Sequence, residues 1–160
     1  MWSIPGHLKL IHSGTSMLRQ DKIFAISGEP LVQNHLRVCW ENRSKTGNCS
    51  TCEKCLRTMA SLNAINQLPD FSRVFDVETP LHKLLDDLTY VPEKLLIAWD
   101  APEKESDSEL TKRAIQRLQH RSKRINRNKR LMQNYRFIKG RIKAGVIKAT
   151  HLFNGTSDKT

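Results

Sequence analysis

The apolar positions along the chain change period several times, and each change marks an element. Residues 7–12, HLKLIH, alternate and predict a short strand. Ser13, Gly14, Thr15 and Ser16 offer a turn and a helix N-cap, and SMLRQDKIFAIS reads as a helix stopped by Gly28 and Pro30. HLRVCW, at 35–40, sets Leu36, Val38 and Trp40 against His35, Arg37 and Cys39, the period of a strand. A polar loop with Gly47-Asn48 as its turn signal leads into a helix from Glu53 to Leu68, ended by Pro69. Leu56, Met59, Ala60 and Ala64 share one face of it. Thr79-Pro80 opens a third helix whose Leu81, Leu84, Leu85 and Leu88 form an unbroken apolar stripe, and Pro92 opens a short one to about Trp99. The stretch APEKESDSE, 101–109, is acidic and poor in apolar residues, which predicts a linker, with Ser106 and Glu109 as a capping box for the next helix. Then Ile115, Leu118, Ile125, Met132, Tyr135, Ile138 and Ile142 recur at three, four or seven, the signature of a long amphipathic helix to about Gly140, with the last dozen residues frayed.

The pattern predicts a mostly helical α+β chain: a domain over 1–100, a linker over 101–109 and a helical tail over 110–160. Charge sharpens that division. The net charge of +11 is gathered at one end, because residues 1–109 sum to −3 while 110–160 carry fifteen Lys and Arg against the single acid Asp158. A tail of this kind is expected to meet an anionic partner, either nucleic acid or an anionic membrane surface, or to lie as a solvated helix packed on the acidic front part. Arg121, Lys123, Arg124, Arg127, Lys129 and Arg130 are the centre of the expected patch, with only Tyr135 and Phe137 interleaved as stacking groups. The longest apolar runs are far short of the ~20 residues of a membrane span, so no transmembrane segment is expected. The N-terminus lacks the pattern of a secretory signal, and a cytoplasmic location is the expectation.

All four cysteines, Cys39, Cys49, Cys52 and Cys55, fall within the stretch CWENRSKTGNCSTCEKC. A two-residue gap lets one turn present two thiols to the same ion, and Cys39 is placed to close the set from a strand. Clustered thiols in a reducing compartment point to metal or redox chemistry. Four-coordinate structural zinc fits best; an iron–sulfur cluster, a Cys52/Cys55 dithiol pair and four unligated core thiols remain open. Four thiolates on Zn²⁺ leave about −2 of charge, which Arg37, Lys45, Lys54, Arg57 and the N-terminus of the following helix would offset. A closed site of this kind holds a fold and does not activate water. His35 is a candidate outer partner or an exposed histidine, and the six histidines show no ligand spacing of their own. Asp86 and Asp87 are expected on a solvated helix face. No catalytic set can be assembled.

The phrase LRVCWENRSKTGNCSTCEKCLRTMASL resembles the C-terminal zinc-binding segment of PP-loop ATP-pyrophosphatases, above all the bacterial 7-cyano-7-deazaguanine synthase group. The resemblance covers roughly residues 2–68. It implies Cys39, Cys49, Cys52 and Cys55 as zinc ligands, with Arg57 on the helix behind them, and ATP-dependent ligase or synthase chemistry in the whole protein. The Ser-Gly-Gly-x-Asp-Ser loop that cradles pyrophosphate in such proteins does not occur in this chain. The chain is therefore expected to be a truncated C-terminal lobe, not catalytic alone, which would use ATP only with a nucleotide-binding lobe or chain supplied. Position 50, a glycine in the family, is serine here, a tolerable change where the backbone angle is ordinary.

Overall fold

The computed structural model describes residues 3–4, 8–9, 16–41 and 47–154, with backbone alone at 3–4, 8–9 and 140–154. The protein is mostly helical. Its strand content among the described residues is one antiparallel pair, β1 (Ser3–Ile4) and β2 (Leu8–Lys9), with Ser3 opposite Lys9 and Ile4 opposite Leu8. The rest of the expected 7–12 strand lies outside the described residues.

Helices α1 (Arg19–Ile26) and α2 (Pro30–His35) come next. The α1 start falls at Leu18, whose N–H donates to Asp21 Oδ2 at 2.9 Å, so the cap expected at Ser16 is displaced. Pro30 does not merely end α1; it opens α2, where a residue without an N–H loses nothing. The strand expected over 35–40 is absent: His35 closes α2 and residues 36–39 are irregular. Leu36 and Val38 are half-buried as the alternation implies, but the pattern breaks at its end, where Cys39 is buried and Trp40 exposed.

Helix α3 (Glu53–Ala64) is the axis of the core. Cys55, Leu56, Met59, Ala60 and Leu62 are sealed on several of its faces, and each large one contributes about 1.5–3 kcal/mol of burial. The helix stops four residues before the expected Leu68. Asn66 adopts a left-handed backbone, φ 57°, and the amides of Asn66 and Gln67 turn back to the carbonyls of Asn63 and Leu62, a terminus that asparagine tolerates. Pro69 lies within a 3-10 turn, Leu68–Phe71, that buries Phe71.

Helix α4 (Leu81–Asp87) buries Leu81, Leu84 and Leu85 as its stripe predicts, and Glu93–Trp99 forms a 3-10 helix that ends on the fully buried Trp99. The acidic stretch expected to be a linker is instead helical over α5 (Asp100–Glu105), packed against α3 and α6 with Pro102 buried. Its acids serve tertiary contacts: Asp100 accepts from Gln119, Glu103 from Gln116 and Glu105 from Gln20. Helix α6 (Glu109–Asn154) is 46 residues long. Ser108, rather than Ser106, caps it, its Oγ accepting from the Thr111 amide at 3.3 Å. Thr111, Ala114, Ile115, Leu118, Gln119 and Ser122 are buried on the first turns of α6, against α4, α5 and the 3-10 helix between them. Beyond Asn126 every described side chain is exposed, including Met132, Tyr135 and Ile138 of the predicted stripe. The stripe thus packs for half its length only.

Candidate metal centre

The four thiols converge. Their Sγ atoms lie within 4.8 Å of one another, with Cys39, Cys52 and Cys55 buried and Cys49 half-buried. Cys39 Sγ is 3.9 Å from Cys52 Sγ, and Cys49 Sγ is 3.9 Å from Cys55 Sγ. A tetrahedron of thiolates at the ~2.3 Å zinc–sulfur distance has edges of ~3.8 Å, so these sulfurs fit around one ion with little movement. They are far too distant for disulfides, whose sulfurs stand at about 2.05 Å.

Each ligand arrives by a different local device. Cys52 is the N-cap residue of α3 and Cys55 lies in its first turn, so the helix start fixes both. Cys49 and Cys52 flank a tight turn in which the Cys52 amide donates to Cys49 Sγ at 3.3 Å. That turn depends on Ser50, which has φ 57°. The angle is therefore not ordinary: a side chain there costs on the order of 1–2 kcal/mol relative to glycine. The serine gives something in return, because its buried Oγ accepts the Asp76 amide at 2.9 Å and ties the turn to the 72–79 loop.

Cys39 is positioned by Asn48. The Asn48 carboxamide accepts from the amides of Val38 at 2.8 Å and Cys39 at 3.0 Å, and donates to the carbonyls of Leu36 at 2.8 Å and Val74 at 3.1 Å. One side chain supplies the hydrogen bonds that a neighbouring strand would have made, which is why Leu36, Val38 and Cys39 turn inward without a sheet. Glu53, Arg57 and Trp99 fasten the α3 start: Trp99 Nε1 donates to Glu53 Oε1 at 3.2 Å, and Arg57 Nε lies 3.2 Å from the same oxygen.

Electrostatics divide the thiols. Burial pushes the Cys55 thiol far above its ordinary value, and burial likewise raises Cys52. Burial also opposes ionisation of Cys49, but the N–H and hydroxyl of Thr51 and the N–H of Cys52 all donate to its sulfur and hold it below the ordinary thiol range. Cys49 is thus the easiest of these three thiols to ionise, and a bound cation would favour ionisation of Cys52 and Cys55.

No family model, curated protein or solved structure matches this chain.

The other predicted residues are distributed differently. Of the residues expected to offset the cluster's charge, Arg57 is buried beside Glu53, Lys54 is half-buried, Arg37 is exposed and Lys45 lies outside the described residues. His35 is exposed at the end of α2. Asp86 is part of a forked pair, with Arg117 Nε at 3.1 Å and Nη2 at 2.7 Å from its two oxygens, so it joins α4 to α6 rather than facing solvent alone. In the basic patch, Arg121 is a fastener: its guanidinium donates to the carbonyls of Asp86, Leu88 and Thr89 and closes the end of α4. Lys129 stands over the Tyr90 ring at 3.7 Å. Lys123, Arg124 and Arg127 line a shallow basic hollow with His120, and Arg130 is exposed further along. Sequence reasoning missed Asn48, Glu53 and Trp99 as parts of the site and took the Ser50 backbone angle as ordinary, although the resembled family has glycine there. Asn48 was visible only as a turn residue, and nothing local announces Glu53 and Trp99.

Proposed function

We propose that the four cysteines hold one structural zinc ion and that the chain is the zinc-stabilised C-terminal lobe of a PP-loop ATP-pyrophosphatase-like protein, without catalysis of its own. The observation that carries the metal reading is the closure of four sulfurs within 4.8 Å, three of them buried. Four protein ligands leave no open position for water or substrate, so the ion would organise residues 36–41 and 47–52 and the start of α3. A cluster would distribute the thiolates over several irons, and sulfurs this close suit a single ion better. The relationship to PP-loop proteins is supported by the resemblance of the cysteine segment. Residues Cys39, Cys49, Cys52 and Cys55 would hold the zinc, and Arg57 would stand on the helix behind it. Metal analysis of the purified chain tests the reading: one colourless zinc per chain, lost in Cys52→Ser, is expected, and brown protein containing iron would overturn it. ATP binding by the isolated chain would contradict the assignment as a non-catalytic lobe.

A second reading has its own observation. No acidic residue occurs from 110 to 139, and from Arg127 onward the described side chains of α6 are exposed. A zinc-organised module that lays this arm on nucleic acid would bind with an affinity that falls steeply between about 50 and 200 mM salt. Fluorescence anisotropy with a labelled duplex and a labelled single strand, repeated after deletion of residues 127–160, decides it.

A further inference from the structure

Helix α1 crosses α3 without fully burying any of its eight residues. It leaves a cavity of about 200 Å³ on each side, and Arg19 and Ile23 line both. The first of these holds an unusual set of polar groups. Arg57 enters it from α3 while being only 7% exposed as a residue. Its Nε is sealed from solvent and makes no hydrogen bond, because Glu53 Oε1, although 3.2 Å away, is out of alignment. That same oxygen already accepts from Trp99. Arg19 enters from α1 and makes one long contact, 3.4 Å to Thr58 Oγ1. Burial first, and then the nearby Arg57 charge, destabilise the Arg19 cation. Two guanidiniums therefore share one nearby carboxylate; Arg19 is exposed at the mouth, so water reaches its remaining N–H groups, whereas the buried Arg57 Nε stays unmatched. Water in the cavity would satisfy donors but leave the surplus positive charge in place.

The remaining walls are of another character. Ile23 and Ala98 give the cavity half-buried apolar walls, the exposed Leu18 and Ile97 form its lips, and Gln20 and the buried Ser61 line the rest. A cavity of ~150 Å³ accepts a benzene ring, so the space here suits one six-membered ring with a charged substituent. Guanidinium forks match the paired oxygens of carboxylate and phosphate better than any spherical anion. We propose that the cavity beneath α1 binds a small organic anion, its carboxylate or phosphate head between Arg19 and Arg57 and its compact apolar body against Ile23, Ile97 and Ala98. The site does not depend on which metal the cysteines hold. Because Arg57 lies two residues beyond Cys55, metal content is measured in every variant so that loss of the metal centre and loss of the anion site are told apart.

The test is calorimetric titration of the full chain with benzoate, phenyl phosphate and inorganic phosphate at constant ionic strength set by chloride. Saturable binding of benzoate or phenyl phosphate, at least tenfold tighter than inorganic phosphate, is expected, and the tighter of the two identifies the head group. Arg19→Gln should weaken binding at least tenfold with metal content unchanged. Ala98→Phe, which keeps both charges and fills the place of the ring, should do the same. The triple variant Lys123→Gln, Arg124→Gln, Arg127→Gln should bind as the parent does. Absence of saturable binding overturns the proposal. So does binding that survives Arg19→Gln and Ala98→Phe, or that disappears in the triple variant, since the anion would then sit on α6. Equal affinity for inorganic phosphate would overturn the apolar half of the site.

Discussion

Residues 36–52 and the first turns of α6 both deliver buried groups to the interior, by opposite means. In its described parts, 36–41 and 47–52, the first segment places Cys39, Ser50 and Cys52 in the interior from irregular backbone, and Asn48 bonds the Val38 and Cys39 amides and the Leu36 carbonyl. The second buries Ala114, Ile115 and Leu118 from a regular helix whose backbone satisfies itself. One region rests on a handful of specific groups and, on the proposed reading, a bound ion; the other rests on a repeated pattern. The first should fail at single residues; the second should tolerate most changes except where a side chain of α6 grips the chain outside it.

The largest expected break is at the thiols. Cys55→Ser, or chelation of the metal, should cost at least about 4 kcal/mol and disorder 36–52 while leaving the α4–α6 contacts more protected, as measured by hydrogen exchange and urea unfolding. Uniform loss of protection across both regions would show that they are one cooperative unit. Next, Asn48→Ala removes four hydrogen bonds, to the amides of Val38 and Cys39 and the carbonyls of Leu36 and Val74, and should cost about 2–4 kcal/mol at saturating metal. Ser122→Ala removes the 2.8 Å acceptor of the buried Val91 amide and should cost about 1–3 kcal/mol, although it changes nothing in the helix pattern. On the same helix, Arg121→Ala should cost about 1–2 kcal/mol, whereas Arg127→Ala should stay within about 0.5 kcal/mol. Equal effects for the pair would contradict the division of the basic residues into fasteners and free charges.

The smallest effect is with pH. The Arg117 guanidinium bonded to Asp86 holds that carboxyl below the usual carboxylate range. A depressed folded value means that the pair stabilises the protein above the unfolded value of about 4, and that this contribution disappears as pH falls through the folded one. Both groups are well exposed, so solvent screening keeps the contribution small. The difference in thermal midpoint between the parent and Asp86→Asn, followed from pH 6 to pH 3 at low salt, should shrink toward zero. A difference that grows on acidification would reverse the sign.

The same contrast explains what could be read in the sequence. Leu81, Leu84 and Leu85 share a face because a helix repeats, and the repeat was legible. The convergence of the thiols was legible because their spacing is the one a single ion would need. The alternation at 35–40 misled, because it holds only to Val38 before Cys39 turns in and Trp40 out, and it is silent about who completes the hydrogen bonds; Asn48 does so from the sequence position of a turn. The acidic stretch misled for a related reason. Asp100, Glu103 and Glu105 look solvent-bound in one dimension, yet glutamines 13 to 85 residues away in sequence bond them and hold α5 against the core. Ser50 hid its backbone angle, which glycine would have advertised.

The uninterrupted course of α6 has a geometric corollary. Each residue advances an α-helix by ~1.5 Å and turns it by ~100°. Between Asn126, which holds the Val91 carbonyl, and the far end at Asn154, the helix therefore acts as a gear shaft. Excising one residue from the exposed span would barely shorten it but would swing every later side chain to a different bearing. Excising seven would shorten it by ~10 Å and return those side chains nearly to their original bearing. The two deletions would keep the same fold at one end and aim the other end in different directions.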